Sequence, residues 1–256
     1  MDNALYVERN IQAGAVNMGG SIKVRGDIDA ADIDVGGSFK AEGKVKAKTV
    51  DVGGSLKIES QAEIEKMRVG GTAKVAGRKI WEIDVGGVFE SKGQLEFEKI
   101  DVGGVARING DSNKGEKIDV GGKLEVKGSL SWKDIEVGGV LNAKKIEADE
   151  RVEVGGSVET EDGVKAKFFR IGKRGRVHGP IRADRVIIGR EAHVEDIYGR
   201  EIILRHEARA RNVYGEVIDI ESDCRIDGEI KYTRELRMNE RVYLAKQPQK
   251  VDKLSL

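Results

Sequence analysis

An apolar residue followed by Gly-Gly recurs nine times in this chain, with the first glycine at Gly19, Gly36, Gly53, Gly70, Gly86, Gly103, Gly121, Gly138 and Gly155. The spacings are 17, 17, 17, 16, 17, 18, 17 and 17 residues. So short a fixed period constrains the fold more than any other feature. A unit of that size cannot bury its own apolar side and must stack on its neighbours, as in a solenoid.

Within a unit a second rhythm runs through Ile33, Val35, Phe39, Ala41, Val45 and Ala47, with steps that alternate between two and four residues. A step of two puts both side chains on one face of an extended strand and turns the residue between them outward. Each unit therefore reads as three short strands with corners between them. Glycine occupies the corners, as Gly-Gly and again seven residues after the first glycine, at Gly26, Gly43, Gly77, Gly93, Gly110 and Gly128. Recurrent corner glycines predict backbone with φ > 0, which glycine alone enters without steric cost.

The rhythm extends back to Leu5/Val7 and Ile11/Ala13, and forward through Ile171, Ile188, Leu204 and Ile220 to Leu236/Met238 and Val242/Leu244. The expected fold is all-β: one triangular β-helix of about fourteen coils over residues 1–244, with a short C-terminal tail at 245–256. At a strand spacing of about 4.8 Å such a stack would be roughly 65 to 70 Å long.

Lys plus Arg and Asp plus Glu both number 45, so no net charge draws the chain toward nucleic acid or a membrane surface. The opening MDNALYVERN has no apolar stretch, and no segment approaches the roughly 20 apolar residues of a spanning helix. Neither signal peptide nor membrane span is expected, and the expected location is cytoplasmic. The single cysteine, Cys224, shares an inward pair with Ile226 and reads as a small buried hydrophobe.

Several constellations invite a chemical reading. Glycine-rich loops cradle phosphates where a strand enters a helix N-terminus; here every Gly-Gly leads into another strand. The outward residue of the first inward pair forms a stripe: Asp34, Asp51, Arg68, Asp84, Asp101, Asp119, Glu136 and Glu153. Stacked like charges repel, so the acids read either as a solvated surface neutralised by Lys99, Lys117 and Arg151 or as a lateral docking stripe for a basic partner. Residues 165–211 carry thirteen Lys or Arg against six Asp or Glu, a net +7, without a nucleic-acid-binding motif. His178, His193 and His206 fall at unlike positions of the repeat and read as solvated side chains rather than zinc ligands. Between Gly103 and Gly121, the run from Asn109 to Gly115 offers no apolar pair and predicts a polar loop; Asp111 and Asn113 fall short of a calcium cage. Coils this short leave no length for loops that wall a substrate cleft, so no catalytic, metal or cofactor site is expected.

The seventeen-residue coils, with stretches such as Ile171-Gly172…Val177-His178-Gly179-Pro180-Ile181…Val186-Ile187-Ile188-Gly189, resemble the bactofilin, or polymer-forming cytoskeletal, family. The resemblance covers nearly the whole chain through degenerate coil patterns. It implies a right-handed triangular β-helix that polymerises without nucleotide into filaments, as a scaffold that recruits other proteins. Bactofilins have a shorter β-helix flanked by longer tails.

The ends support the same expectation independently. No amphipathic helix precedes Leu5 or clearly follows Leu244, and an uncapped solenoid exposes backbone edges and an apolar cross-section. Leu5, Val7 and Ile11 at one end and Leu236, Met238, Val242 and Leu244 at the other are therefore the expected self-association residues, with a homopolymer as the partner. The alternative is a monomeric or dimeric β-helix rod that docks a partner through its charged stripes.

Overall fold

The computed structural model describes residues 4–110 and 113–254, so Asp111 lies outside the described residues. Strands follow one another without a helix among the described residues, and they stack in parallel as a β-solenoid of about fourteen turns. The chain divides into two compact units, Met1–Gly128 and Ser129–Leu256.

In the first unit a typical coil consists of Ser21–Val24, a turn, and Ile28–Val35, which bends at Ala31 without breaking the strand. Three faces result: the strand after Gly-Gly, the strand before the bend, and the strand after it. The next coil, Ser38–Ala41 and Val45–Val52, lies in register, with Ile22 on Phe39, Ile28 on Val45, Ile33 on Val50 and Val35 on Val52. The alternation in sequence appears directly as burial: Ile22, Val24, Ile28, Ala30, Ile33 and Val35 are all buried, and the residues between them face out. Apolar columns one residue wide thus replace the single central core of a globular domain.

The Gly-Gly corner is glycine for a reason other than φ > 0. Among the described residues, the left-handed glycines are Gly93, Gly128, Gly163 and Gly179, and no Gly-Gly glycine is one of them. These pairs lie flush on one another instead. The Gly103 N–H donates to the Val85 carbonyl at 3.0 Å, and a Cβ added at Gly103 would sit 2.6 Å from the Gly86 carbonyl oxygen. Close approach of backbone to backbone excludes a side chain there.

In the second unit the corner changes character. Arg174, Glu191, Glu207, Asp223 and Arg241 adopt φ of 58°, 59°, 59°, 62° and 61°. Arg174 is the third residue of a turn closed by Gly175 N–H to Gly172 C=O at 3.2 Å, and its own N–H donates to Arg190 C=O of the next coil at 2.8 Å. A left-handed charged residue has taken over the corner.

The run expected to bulge stays largely within the solenoid. Asn113 is buried where an inward apolar residue belongs; its Oδ1 accepts from Leu95 N–H at 2.9 Å and its Nδ2 donates to Gly110 C=O at 2.7 Å. Two residues on, Gly115 has no room for a Cβ because the ring of Phe97 fills that space. A satisfied amide and one large aromatic replace the missing apolar pair.

Part of the segment expected to be a tail also joins the stack. The Ala245 N–H donates to Ile226 C=O at 3.0 Å, and Gln249–Lys250 pairs in parallel with Lys231 and Tyr232. Pro248 interrupts the rhythm in sequence yet precedes this strand, where no ladder N–H is required.

Candidate functional site

The first coil repeats every column of the coil above it and lacks that coil's burial. Leu5 and Val7 pair with Ile22 and Val24, and Ile11, Ala13, Val16 and Met18 pair with Ile28, Ala30, Ile33 and Val35. Ile22 is 3 % exposed, whereas Leu5 is 45 % exposed. Val7, Ile11, Val16 and Met18 are half-buried. The corner is open as well: nothing lies within 4 Å of a Cβ placed on Gly19.

The last coil mirrors this. Leu236 and Met238 pair with Ile218 and Ile220, and Leu244 pairs with Ile226. Ile220 is fully buried and Met238 is 41 % exposed; Leu236, Val242 and Leu244 are half-buried. The residues named from sequence for both ends therefore stand at open apolar faces. Val16 and Met18 were missed, although both lie 17 residues before members of established columns. Leu254 was missed too; half-buried, it follows Leu236 by the same 18 residues that separate Leu236 from Ile218.

No protein-family model, curated protein or solved structure matches the chain.

The acidic stripe is a ladder in the first unit, where Asp34, Asp51, Arg68, Asp84, Asp101 and Asp119 pair coil to coil in direct register. Some of its charge is neutralised locally: Arg68 lies 3.2 Å from Asp51, and Lys99 lies 3.9 Å from Asp101. Asp34, Asp84 and Asp119 have no ion pair among the described residues. A second ladder on the same face, Lys66, Glu82, Lys99 and Lys117, runs beside it, and Lys66 holds the Glu82 carboxyl below the usual carboxylate range. In the second unit, Glu136 is exposed, while Glu153 lies 3.4 Å from Arg151 and 3.7 Å from Arg170.

The cations of residues 165–211 are mostly engaged. Arg174 pairs with Glu191 at 2.6 Å, Arg200 with Asp184 at 2.8 Å and Arg211 with Asp196 at 2.7 Å. The Arg211 guanidinium, with Asn212, holds the Asp196 carboxyl below its ordinary range. Arg182, Tyr198, Tyr214 and Lys231 share one outward column. The two rings stack at 5.0 Å, with Arg182 over one outer face at 4.7 Å and Lys231 over the other at 5.8 Å. The ring faces are thus already covered, which leaves only edges for contact.

The histidines are not brought together. His178 lies 3.6 Å from Glu195, His193 stands between Arg176 and Arg209 in another column, and the Ser222 carbonyl accepts from His206 Nδ1 at 3.0 Å. Among the described residues, no group of three or more His, Cys, Asp or Glu is arranged to hold a metal ion. Cys224 is buried, and burial pushes its thiol up to about 11. Among the described residues, no helix is long and apolar enough to cross a membrane.

Proposed function

We propose that this chain is a non-enzymatic scaffold protein that assembles end to end into nucleotide-independent filaments. The supporting observation is the contrast between the terminal coils and their neighbours: the same columns that are sealed one coil inward are open at Leu5 and at Met238. The first coil, and the part of the last coil that Gln249–Lys250 leaves uncovered, also offer strand edges that template further pairing. Burying about six inward side chains per end, at around 1 kcal/mol each, together with new ladder hydrogen bonds, is of the size needed to offset association. The resemblance to bactofilins points the same way, and the lone buried cysteine supports a cytoplasmic location as part of the same reading.

Electron microscopy of purified protein without nucleotide tests the reading, and filaments are expected. Val242→Lys places an ammonium on the apolar C-terminal face, where desolvation is costly. The expected result is loss of filaments, or a critical concentration raised by more than about tenfold, with β circular dichroism unchanged. Filaments of normal abundance from that variant would exclude this junction. A second reading, a binding rod that docks a basic partner, draws on the unpaired Asp34, Asp84 and Asp119; it predicts a monomeric or dimeric protein in the same experiment.

A further inference from the structure

Beyond the assembly reading and independent of it, we propose that the first unit carries a carbohydrate-binding groove, with Trp81 as the platform for the ring of a neutral sugar. Trp81 is 39 % exposed, whereas the other tryptophan, Trp132, is 3 % exposed. Ile80 and Ile83, on either side of Trp81 in the strand, fill the interior columns. Neither the core nor the terminal coils therefore account for the outward indole. Lys79 Nζ lies 4.2 Å from its ring centroid, a cation–π contact that restrains the ring in place.

Trp81 lines a groove of about 460 Å³ that follows the continuous bend across four successive coils. Three coil steps of about 4.8 Å make it about 14 Å long. Alanines open it: Ala30 and Ala47 hold the inward place that Ile64 and Ile80 hold in the next two coils, and Ala31 puts only a methyl at the bend. Along one side Asp29, Lys46, Glu63 and Lys79 stand in direct register with alternating charge. Along the other, Lys48 and Glu65 lead to Trp81. Three carboxylates thus face three ammonium groups, and the groove has no net charge. Glu63 is engaged by Arg78 at 3.4 Å and Lys79 by Glu96 at 3.8 Å. Asp29, Lys46, Lys48 and Glu65 have no ion pair among the described residues.

These features select among ligand classes. A polyanion or polycation gains nothing from a rim without net charge. A wholly apolar ligand would strip water from the charged heads and give them no partner. An extended peptide would need a free strand edge, and the ladders here are already paired coil to coil. A sugar hydroxyl both donates and accepts, so neighbouring hydroxyls of one ring answer lysine and carboxylate alike. The C–H face of a pyranose carries slight positive charge, which suits the electron-rich face of an indole.

The full chain is titrated with cellohexaose, maltohexaose and chitohexaose while tryptophan fluorescence and its quenching by acrylamide are read; buried Trp132 supplies a constant background. The expected result is a saturable change with at least one of the three, together with protection of Trp81 from acrylamide. In calorimetry with that sugar, Trp81→Ala should abolish binding and Trp81→Phe should retain part of it. Asp29→Ala and Glu65→Ala should each raise Kd by roughly two- to tenfold, the worth of one hydrogen bond, with β circular dichroism unchanged. No saturable response to any of the three sugars would overturn the proposal. Binding that survives Trp81→Ala undiminished would overturn the site. Tighter binding of heparin or polylysine than of every neutral sugar would overturn the ligand class.

Discussion

Ser91 and Asn113 are the two buried polar residues among the described positions, 0 % and 7 % exposed, and they stand in opposite situations. Asn113 satisfies two backbone groups that its irregular coil would otherwise orphan. Ser91 occupies an inward place between Val75 and Ile108, and its Oγ has no partner. A buried donor or acceptor left unmade costs about 1–3 kcal/mol, so Asn113→Ala should destabilise by that amount, whereas Ser91→Ala should stabilise by about 1 kcal/mol. Denaturant midpoints of the two variants check both signs, and equal destabilisation would mean that the Ser91 hydroxyl is satisfied. The sequence around Asn113 reads as a loop because composition shows only the absent apolar pair. That Phe97 fills the space at Gly115 depends on contact between residues 18 apart, which the local pattern does not reveal.

At the scale of the coil, strand faces and columns were legible because period-two alternation is a direct consequence of backbone geometry. Corners were legible in position; the left-handed reading holds at Gly93 and Gly128 and fails at the Gly-Gly pairs, where close packing is the cause. Glycine marks both left-handed backbone and close packing, and the letter does not distinguish them. The two causes predict different mutants. At Gly103 the neighbouring carbonyl excludes any Cβ, so Gly103→Ala should cost about as much as Gly103→Val, on the order of 1–3 kcal/mol for overpacking. At Glu207, with φ of 59°, the constraint is conformational: Glu207→Gly should fold as stably as the parent, while Glu207→Val should lose about 1–2 kcal/mol. Thermal melting of the four variants separates the mechanisms. The left-handed column of the second unit left no such signal, since Arg174, Glu191, Glu207, Asp223 and Arg241 are ordinary surface residues by composition.

On the scale of the whole molecule, a formal charge of zero conceals an uneven distribution. The +7 of residues 165–211 is largely spent in pairs such as Arg200 with Asp184 and Arg205 with Glu221, which leaves Lys165, Arg176, Arg182, Arg190 and Arg209 without a carboxylate within 4.0 Å among the described residues. The ladder acids Asp84 and Asp119 are likewise unpaired. Lateral attraction between neighbouring filaments would draw on these few exposed charges, each screened within about 8 Å at physiological salt. End contacts would draw on apolar columns, which salt does not weaken. Raising ionic strength should therefore separate bundles into single filaments without shortening them. The triple change Asp84→Asn, Asp101→Asn, Asp119→Asn should give single filaments already at low salt. Light scattering with microscopy reads both arms. Bundling indifferent to salt and to the triple change would mean that the ladder is a solvated surface, its repulsion relieved by Arg68, Lys99 and the neighbouring lysine column rather than by a second filament.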